Sequence, residues 1–183
     1  NISNSNVGQI GSGGTVGTDN LPLTKVNRPE ITLDLGKVAR LQFSATQGAV
    51  RGVSVYHCLN GLYSGCIAID PGANSAFIEH NLIGSYADGS EPPVDETVGL
   101  VLLGQGEVRN NYFAYHGEYH AIIGHHVANV DTADNSIFEN NELHQVTLLT
   151  DHTDATAIYA DNVSFQGNLI EGMATGVPIS NIS

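Results

Sequence analysis

Histidines are concentrated in one short segment of this chain, AYHGEYHAIIGHH, at residues 114–126. Four of the eight histidines lie there: His116, His120, His125 and His126. Imidazole acts as a general acid or base near neutral pH and is a common ligand of transition metals. Both uses require side chains that converge on one point, and spacing alone does not establish this. The four histidines are therefore candidates whose role depends on the fold.

Two cysteines, Cys58 and Cys66, bracket the segment LNGLYSG. They are either two small buried thiols or a disulfide that closes one loop. A disulfide would indicate an oxidising compartment, and we expect an extracellular or cell-surface location. A structural zinc site is not indicated, because it needs a second pair of ligands. We predict no metal site and no cofactor; calcium is compatible with the chain, but no motif indicates it.

Composition excludes several classes of function. The 183 residues include 19 Asp plus Glu but only six Lys plus Arg, for a formal charge of -13. We therefore expect no binding to nucleic acid or anionic lipid through a basic surface. No apolar run reaches about 18 residues, so no membrane insertion is expected. The abundance of Gly, Thr, Val, Ile and Asn is typical of strands and turns.

The elements that must position the histidines follow from an internal repeat. The segments FIEHNLIG, EVRNNYFAY, IFENNELHQ and SFQGNLIEG place one asparagine in the same column: Asn81, Asn111, Asn141 and Asn168. The steps are 30, 30 and 27 residues. The columns three residues before and two residues after the asparagine are apolar throughout. A step of this length without helical periodicity predicts three short strands per coil, stacked into one continuous core.

The asparagine column has a physical explanation in such a stack. Amides stacked at strand spacing, about 4.8 Å, can hydrogen-bond from coil to coil. We expect the asparagine itself to occupy the left-handed bend that this corner requires. The residues two positions earlier alternate in charge and predict a solvated ladder in which each pair contributes a few tenths of a kcal/mol: Arg51, Glu79, Arg109, Glu139 and Gln166.

This pattern resembles a right-handed parallel β-helix of the pectate-lyase-like superfamily. Three segments resemble the β-helix regions of large secreted bacterial surface proteins: LPLTKVNRPEITLD (21–34), VRGVSVYH (50–57) and NSAFIEHNLIGSYADG (74–89). The resemblance covers residues 21–183. The predicted fold is all-β: a single right-handed parallel β-helix of about six rungs over 31–183, with 1–30 as an irregular lead-in or N-terminal cap. The superfamily includes enzymes, adhesins and filament domains, so the fold does not specify an activity.

The repeat places most of the histidine cluster on one outward face. We expect 114–120 to be a loop and 121–125 to be the strand that follows it. The candidate ligand-binding residues would overhang this face from two loops: His116, Tyr119, His120, Asp151 and His152. His125 would point outward beside Asp161 of the next coil, with Tyr159 one position along.

An apolar row is expected on the same outward face: Ala68, Val101, Ile123 and Tyr159. We expect the loops 84–98 and 145–156 to cover it. Otherwise it is a contact surface for sugar rings or for another subunit.

The resemblance implies that a sugar-active β-helix would hold substrate along this face. Such enzymes use clustered Asp with calcium and Arg or Lys, or a Tyr/His pair. No Lys follows Lys37 and the last Arg is Arg109, which disfavours a calcium-and-arginine lyase. A site formed by His125, Tyr159 and Asp161 remains, because a carboxylate beside a histidine raises its pKa and orients it.

Three function classes follow from these observations. We favour an extracellular structural or adhesive module of a bacterial surface protein that contacts polysaccharide or a cell-surface glycan. The alternatives are a polysaccharide lyase, hydrolase or epimerase, and a filament subunit that self-associates head to tail. The chain ends in VPISNIS, in mid-rung, and uncapped rungs carry unpaired strand edges. We therefore expect an excised piece or ends that meet another chain.

Overall fold

The computed structural model describes residues 9–10, 15–16, 21–22, 26–27, 29, 31–44, 47–61, 63–92, 96–125, 133–144 and 154–171. These residues form twenty strands and no helix. Accordingly, nothing in the described part is a helix with the length and apolarity that crossing a membrane requires.

Four two-residue strands precede the repeat: β1 (Gln9–Ile10), β2 (Thr15–Val16), β3 (Leu21–Pro22) and β4 (Val26–Asn27). β1 pairs antiparallel with β4, and β2 pairs antiparallel with β3. The described part of the predicted lead-in therefore consists of two short antiparallel ladders.

The remaining strands form three parallel sheets. Sheet A consists of β6 (Leu41–Phe43), β9 (Ile67–Ile69), β12 (Glu96–Leu102), β15 (His116–Ile123) and β18 (Asp154–Ile158). Sheet B consists of β7 (Gly48–Arg51), β10 (Ala76–Glu79), β13 (Gly106–Arg109), β16 (Ile137–Glu139) and β19 (Ser164–Gln166). Sheet C consists of β5 (Ile31–Asp34), β8 (Val53–Tyr56), β11 (Leu82–Ile83), β14 (Tyr112–Ala114), β17 (Glu142–His144) and β20 (Leu169–Glu171).

Each strand pairs with the strand three places along the chain, so the chain visits sheets A, B and C in turn. This is an all-β parallel β-helix of about six rungs, as the repeat predicted. The predicted apolar columns pair in register along the interior of sheet B: Val50, Ile78, Val108, Phe138 and Phe165. Those of sheet C do the same: Val55, Ile83, Phe113, Leu143 and Ile170. Because no single coil can bury its apolar face, stacking supplies most of the hydrophobic stabilisation.

The corner between sheets B and C differs from the prediction in one respect. The left-handed residue is the one before the ladder asparagine, with φ between 55° and 65°: His80, Asn110, Asn140 and Gly167. Gly52, with φ 67°, occupies the same place before Val53, which stands in the asparagine column of the first coil. The prediction that the ladder asparagine itself adopts this bend is therefore wrong. The physical reason is that the bend must precede the asparagine to direct its amide into the corner. Gly and Asn tolerate that conformation at low cost.

The charge ladder lies on the outer surface of sheet B, in the predicted register. Arg51 Nε lies 2.9 Å from Glu79 Oε2, and Arg109 Nη1 lies 2.8 Å from Glu139 Oε2. Glu139 also accepts hydrogen bonds from Ser164 Oγ and Gln166 Nε2, both at 2.6 Å. The Arg109–Glu139 pair is therefore part of a small network, whereas Arg51–Glu79 is a surface ion pair.

Sheet A departs from the predicted register at one coil. Leu102 pairs with Ile123, and Ile123 pairs with Ile158, so Ile123 points into the core and Ile122 points outward. The prediction that Ile123 belongs to the outward apolar row is therefore wrong. The reason is that β15 begins at His116 and its pairing with β12 shifts between Glu96 and Val98. An irregularity of this kind moves the alternation of side chains by one residue.

Candidate functional site

A disulfide joins Cys58 to Cys66 and closes the turn between β8 and β9. Both cysteines are buried in the core. Inside this turn, Arg40 Nη1 donates hydrogen bonds to the carbonyl oxygens of Tyr63, at 3.1 Å, and of Ser64, at 3.4 Å. The turn is therefore fixed at its base and near its middle, and it carries Tyr63 to the outer surface of sheet A.

A second apolar cluster lies outside the coil on this surface. Its buried members are Val98, Val101 and Ile122. Four half-buried side chains pack on them: Tyr63, Leu103, Tyr119 and Tyr159. The Tyr63 ring also stacks on His125, with ring centroids 4.2 Å apart and planes inclined by 27°. We call these eight residues the outer patch.

One edge of the outer patch is polar and carries an acidic residue, Asp70. Asp70 lies beside Leu103 in the neighbouring strand, since the Leu103 N–H donates to the Ile69 carbonyl oxygen at 2.8 Å. Asp70 accepts a hydrogen bond from Gln42 Nε2 at 2.6 Å and another from Ser44 Oγ. Burial alone would raise the pKa of Asp70, but these hydrogen bonds outweigh it and lower the pKa. Arg40, which lies nearby, lowers this pKa further, so Asp70 is negatively charged over the neutral pH range.

The three candidate catalytic residues occupy different surroundings. His125 stacks on Tyr63, and the Tyr159 N–H donates to the Ile123 carbonyl oxygen at 2.7 Å, which places Tyr159 beside Gly124. Asp161 lies in the turn after β18, where its N–H donates to Asp134 Oδ1 at 2.8 Å. The expected side-by-side placement of His125 and Asp161 is thus shifted by one residue. Their catalytic role stays a prediction.

His116 and His120 do not lie on a loop. They belong to β15 and are fully buried in the interior of the coil. Their Nδ1 atoms are 2.7 Å apart and their rings are nearly perpendicular, at 86°. The prediction that they overhang the outer face is wrong, because the strand starts five residues earlier than the repeat suggested.

The interior around this pair is apolar and closely packed. The Phe113 ring lies 6.5 Å from His116 and 6.3 Å from His120, between ring centroids. A side-chain carbon at Gly84 would lie 2.6 Å from His116 Nε2, and one at Gly99 would lie 2.7 Å from it. Desolvation by burial lowers the pKa of His116 to about 3 and that of His120 well below its ordinary value. Both imidazoles are therefore neutral at physiological pH.

The remaining candidates divide between the outer patch and the residues that are not described. Tyr119 is part of the outer patch, whereas Asp151 and His152 lie outside the described residues. Among the described residues, no group of three or more His, Cys, Asp or Glu is arranged to hold a metal ion.

In the loop 84–98, the described residues Ser85 and Tyr86 do not cover the apolar row as expected, whereas Val98, its last residue, packs into the outer patch. Residues 145–153 of the second loop lie outside the described residues. The Ser85 carbonyl oxygen accepts a hydrogen bond from Ser54 Oγ at 2.7 Å, and the Tyr86 ring packs edge-on against Tyr56 at 4.8 Å. Ser54 and Tyr56 belong to β8, so this stretch packs over sheet C rather than sheet A.

The sequence interpretation missed Tyr63, although a signal for it was present. A tyrosine inside a loop closed by two cysteines, directly before a strand of the apolar outward row, has few places to pack other than that row. Pairing the cysteines would have indicated its position.

No protein-family model matches this sequence, and no match to it was found among curated proteins or solved structures.

Proposed function

We propose that this chain is an extracellular structural or adhesive module that holds a glycan on the outer patch. The observation that carries the proposal is the group of three tyrosines and one histidine packed on an apolar row outside the coil. Tyrosine rings supply apolar faces for the C–H groups of a sugar and hydroxyl groups for its polar edge. β15 carries Tyr119, Tyr159 directly follows β18, and the turn that carries Tyr63 is closed by a disulfide. Because the backbone at these positions is held in place, ordering the rings on binding costs less entropy.

The disulfide and the stacked coils support the extracellular part of the proposal. Disulfides persist in oxidising compartments, and Cys58 and Cys66 are bonded to each other. The resemblance of the repeat to the pectate-lyase-like superfamily, and to bacterial surface proteins within it, supports the structural or adhesive part.

The negative charge of the chain disfavours anionic glycans as ligands. The formal charge is -13, and the pKa of Asp70 at the border of the outer patch is lowered. A polyuronate or sulfated chain would be repelled, so the proposed ligand is a neutral glycan.

The test is binding of neutral and anionic polysaccharides, measured by titration calorimetry, to the wild type and to two variants. Tyr63→Ala removes the ring that stacks on His125, and we expect it to weaken binding of a neutral polysaccharide at least tenfold. Tyr86→Ala removes a half-buried ring over sheet C and serves as the matched control, with binding unchanged. Absence of binding to any neutral polysaccharide, or equal binding by the wild type and Tyr63→Ala, would contradict the proposal.

A further inference from the structure

The two interior histidines form a hydrogen-bonded pair whose geometry constrains their protonation. With the Nδ1 atoms of His116 and His120 2.7 Å apart, one nitrogen must donate a hydrogen and the other must accept it. In the neutral pair, one ring therefore carries its hydrogen on Nδ1 and the other on Nε2. A proton added to the acceptor ring would make both Nδ1 atoms donors and replace the hydrogen bond by a repulsion. A proton added to the donor ring would go to its Nε2 and keep the hydrogen bond, but it would place the charge on a buried edge of the pair.

The side chains that the structure describes around the pair are mostly apolar or already hydrogen-bonded. From sheet C, the pair faces the Phe113 ring of β14 and His144 of β17, which disfavours a positive charge on His120. Glu142 of β17 is nearly buried, but its carboxylate is bonded to His144 Nε2. From β12, Glu96 pairs in register with His116, the stretch Val98–Leu102 contributes no titratable side chain, and Gly99 lies against the His116 ring. From β18, Asp154 pairs in register with Tyr119, next to His120.

The packing also leaves no room for the rings to move apart. Gly84 and Gly99 approach the Nε2 edge of His116, and His120 Nε2 has no hydrogen-bond partner among the described residues. A ring that turned to relieve a repulsion between the two Nδ1 atoms would meet these glycines, unless β15 separated from the interior.

We propose that the His116–His120 pair is an acid-sensitive latch, which holds β15 against the interior while neutral and opens this coil when protonated. β15 carries Tyr119 and Ile122 of the outer patch and leads directly to His125, so its opening would disassemble that surface. The proposal rests on the buried pair alone and holds whether or not the outer patch binds a glycan.

The direction of the pH dependence follows from proton linkage. The pKa of His116 is lowered to about 3 in the folded chain, against about 6.5 for an ordinary histidine. Between these values the unfolded chain binds more protons than the folded chain. The contribution to stability is therefore fully present above about pH 6.5 and is lost as the pH falls toward 3. Each histidine of the pair shifts the folding equilibrium by at most about tenfold per pH unit within this window.

The experiment compares urea unfolding, followed by circular dichroism, between pH 7.5 and pH 4.5. The test variant is His116→Asn/His120→Asn, because the Asn amide reproduces the position of Nδ1 and does not titrate. The control is His80→Asn, in which an exposed histidine at φ 57° is replaced by the residue type found at the equivalent Asn110 and Asn140. As the pH falls, the folding equilibrium constant should decrease in all three proteins. We expect the decrease per pH unit to be at least tenfold larger in the wild type and the control than in the double variant. Equal slopes in all three proteins would overturn the proposal.

A second measurement on the wild type applies even if the double variant does not fold. Nitrogen-15 NMR of histidine side chains distinguishes neutral tautomers from the imidazolium. We expect two imidazoles that remain neutral down to pH 5, one with its hydrogen on Nδ1 and one on Nε2. If all the histidines titrate together near pH 6.5 while the chain stays folded, the latch does not exist.

Discussion

Asn111 and Asn141 are joined across neighbouring coils by a shared acceptor. Both the main-chain N–H and the side-chain Nδ2 of Asn111 donate to Asn141 Oδ1, each at 3.0 Å. Asn141 repeats this arrangement toward Asn168, at 2.9 and 3.1 Å, and also donates from Nδ2 to the Val108 carbonyl oxygen. The ladder thus satisfies the polar groups of a corner that is otherwise apolar.

Replacing one member of this ladder should destabilise the whole coil. We expect Asn141→Leu to lower the free energy of unfolding by about 1–3 kcal/mol or more, because it leaves buried donors and acceptors of two coils unpaired. Urea unfolding measures the loss. Asn74→Leu, at an exposed position, is the control and should change stability little. An unchanged midpoint for Asn141→Leu would show that the ladder contributes nothing to stability.

Two glycines with nearly equal φ test the space around His116. Gly84 (φ 85°) and Gly72 (φ 84°) pay the same conformational cost when replaced by Ala. A side-chain carbon at Gly84 would lie 2.1 Å from the Ala114 carbonyl oxygen and 2.6 Å from the His116 ring, whereas one at Gly72 meets nothing within 4 Å. We expect Gly84→Ala to be less stable than Gly72→Ala by about 1–3 kcal/mol, which thermal unfolding can measure. Equal effects would mean that His116 is not packed against this glycine.

The two ion pairs of the charge ladder should differ in strength. Glu139 has a side chain only 11% exposed and is held by Arg109, Ser164 and Gln166, whereas the Arg51 side chain is 57% exposed. We expect Arg109→Ala to cost about 1–3 kcal/mol, since it leaves a nearly buried carboxylate without its cation. Arg51→Ala should cost about 0–1 kcal/mol. Chemical denaturation at low and high salt measures both losses. A larger loss for Arg51→Ala than for Arg109→Ala would show that the network around Glu139 does not strengthen its ion pair.

The disulfide should stabilise the fold and position Tyr63. Loop-closure entropy for a separation of eight residues predicts a loss of about 2–3 kcal/mol in Cys58→Ser/Cys66→Ser. Denaturation of the wild type with and without reductant provides the parallel measurement. If the double variant remains folded, we also expect weaker glycan binding, because the turn that carries Tyr63 loses its anchor. If the folded double variant binds the glycan as well as the wild type does, the disulfide is not needed for binding at the outer patch.

The repeat determined the fold because its signal is redundant. Five coils place apolar residues in the same columns, such as Phe113 with Leu143, so the period remains readable even where single residues deviate. The asparagine ladder and the charge ladder followed from the same period, since parallel strands in register place equivalent residues side by side. The bend at His80, Asn110 and Asn140 was misplaced by one residue, because the period fixes columns and not dihedral angles.

The placement of the functional side chains was decided only by the tertiary structure. A pairing irregularity before Val98 exchanged Ile122 with Ile123, and an early strand start drew His116 and His120 into the core. Both effects are local departures from strict alternation. A repeat read from the sequence gives only the average register, so it does not reveal them. The stacking of Tyr63 on His125 and the bond between Cys58 and Cys66 also depended on the three-dimensional path of the turns. The sequence therefore determined which residues share a column, and the tertiary structure decided which of them face the core, the surface and one another.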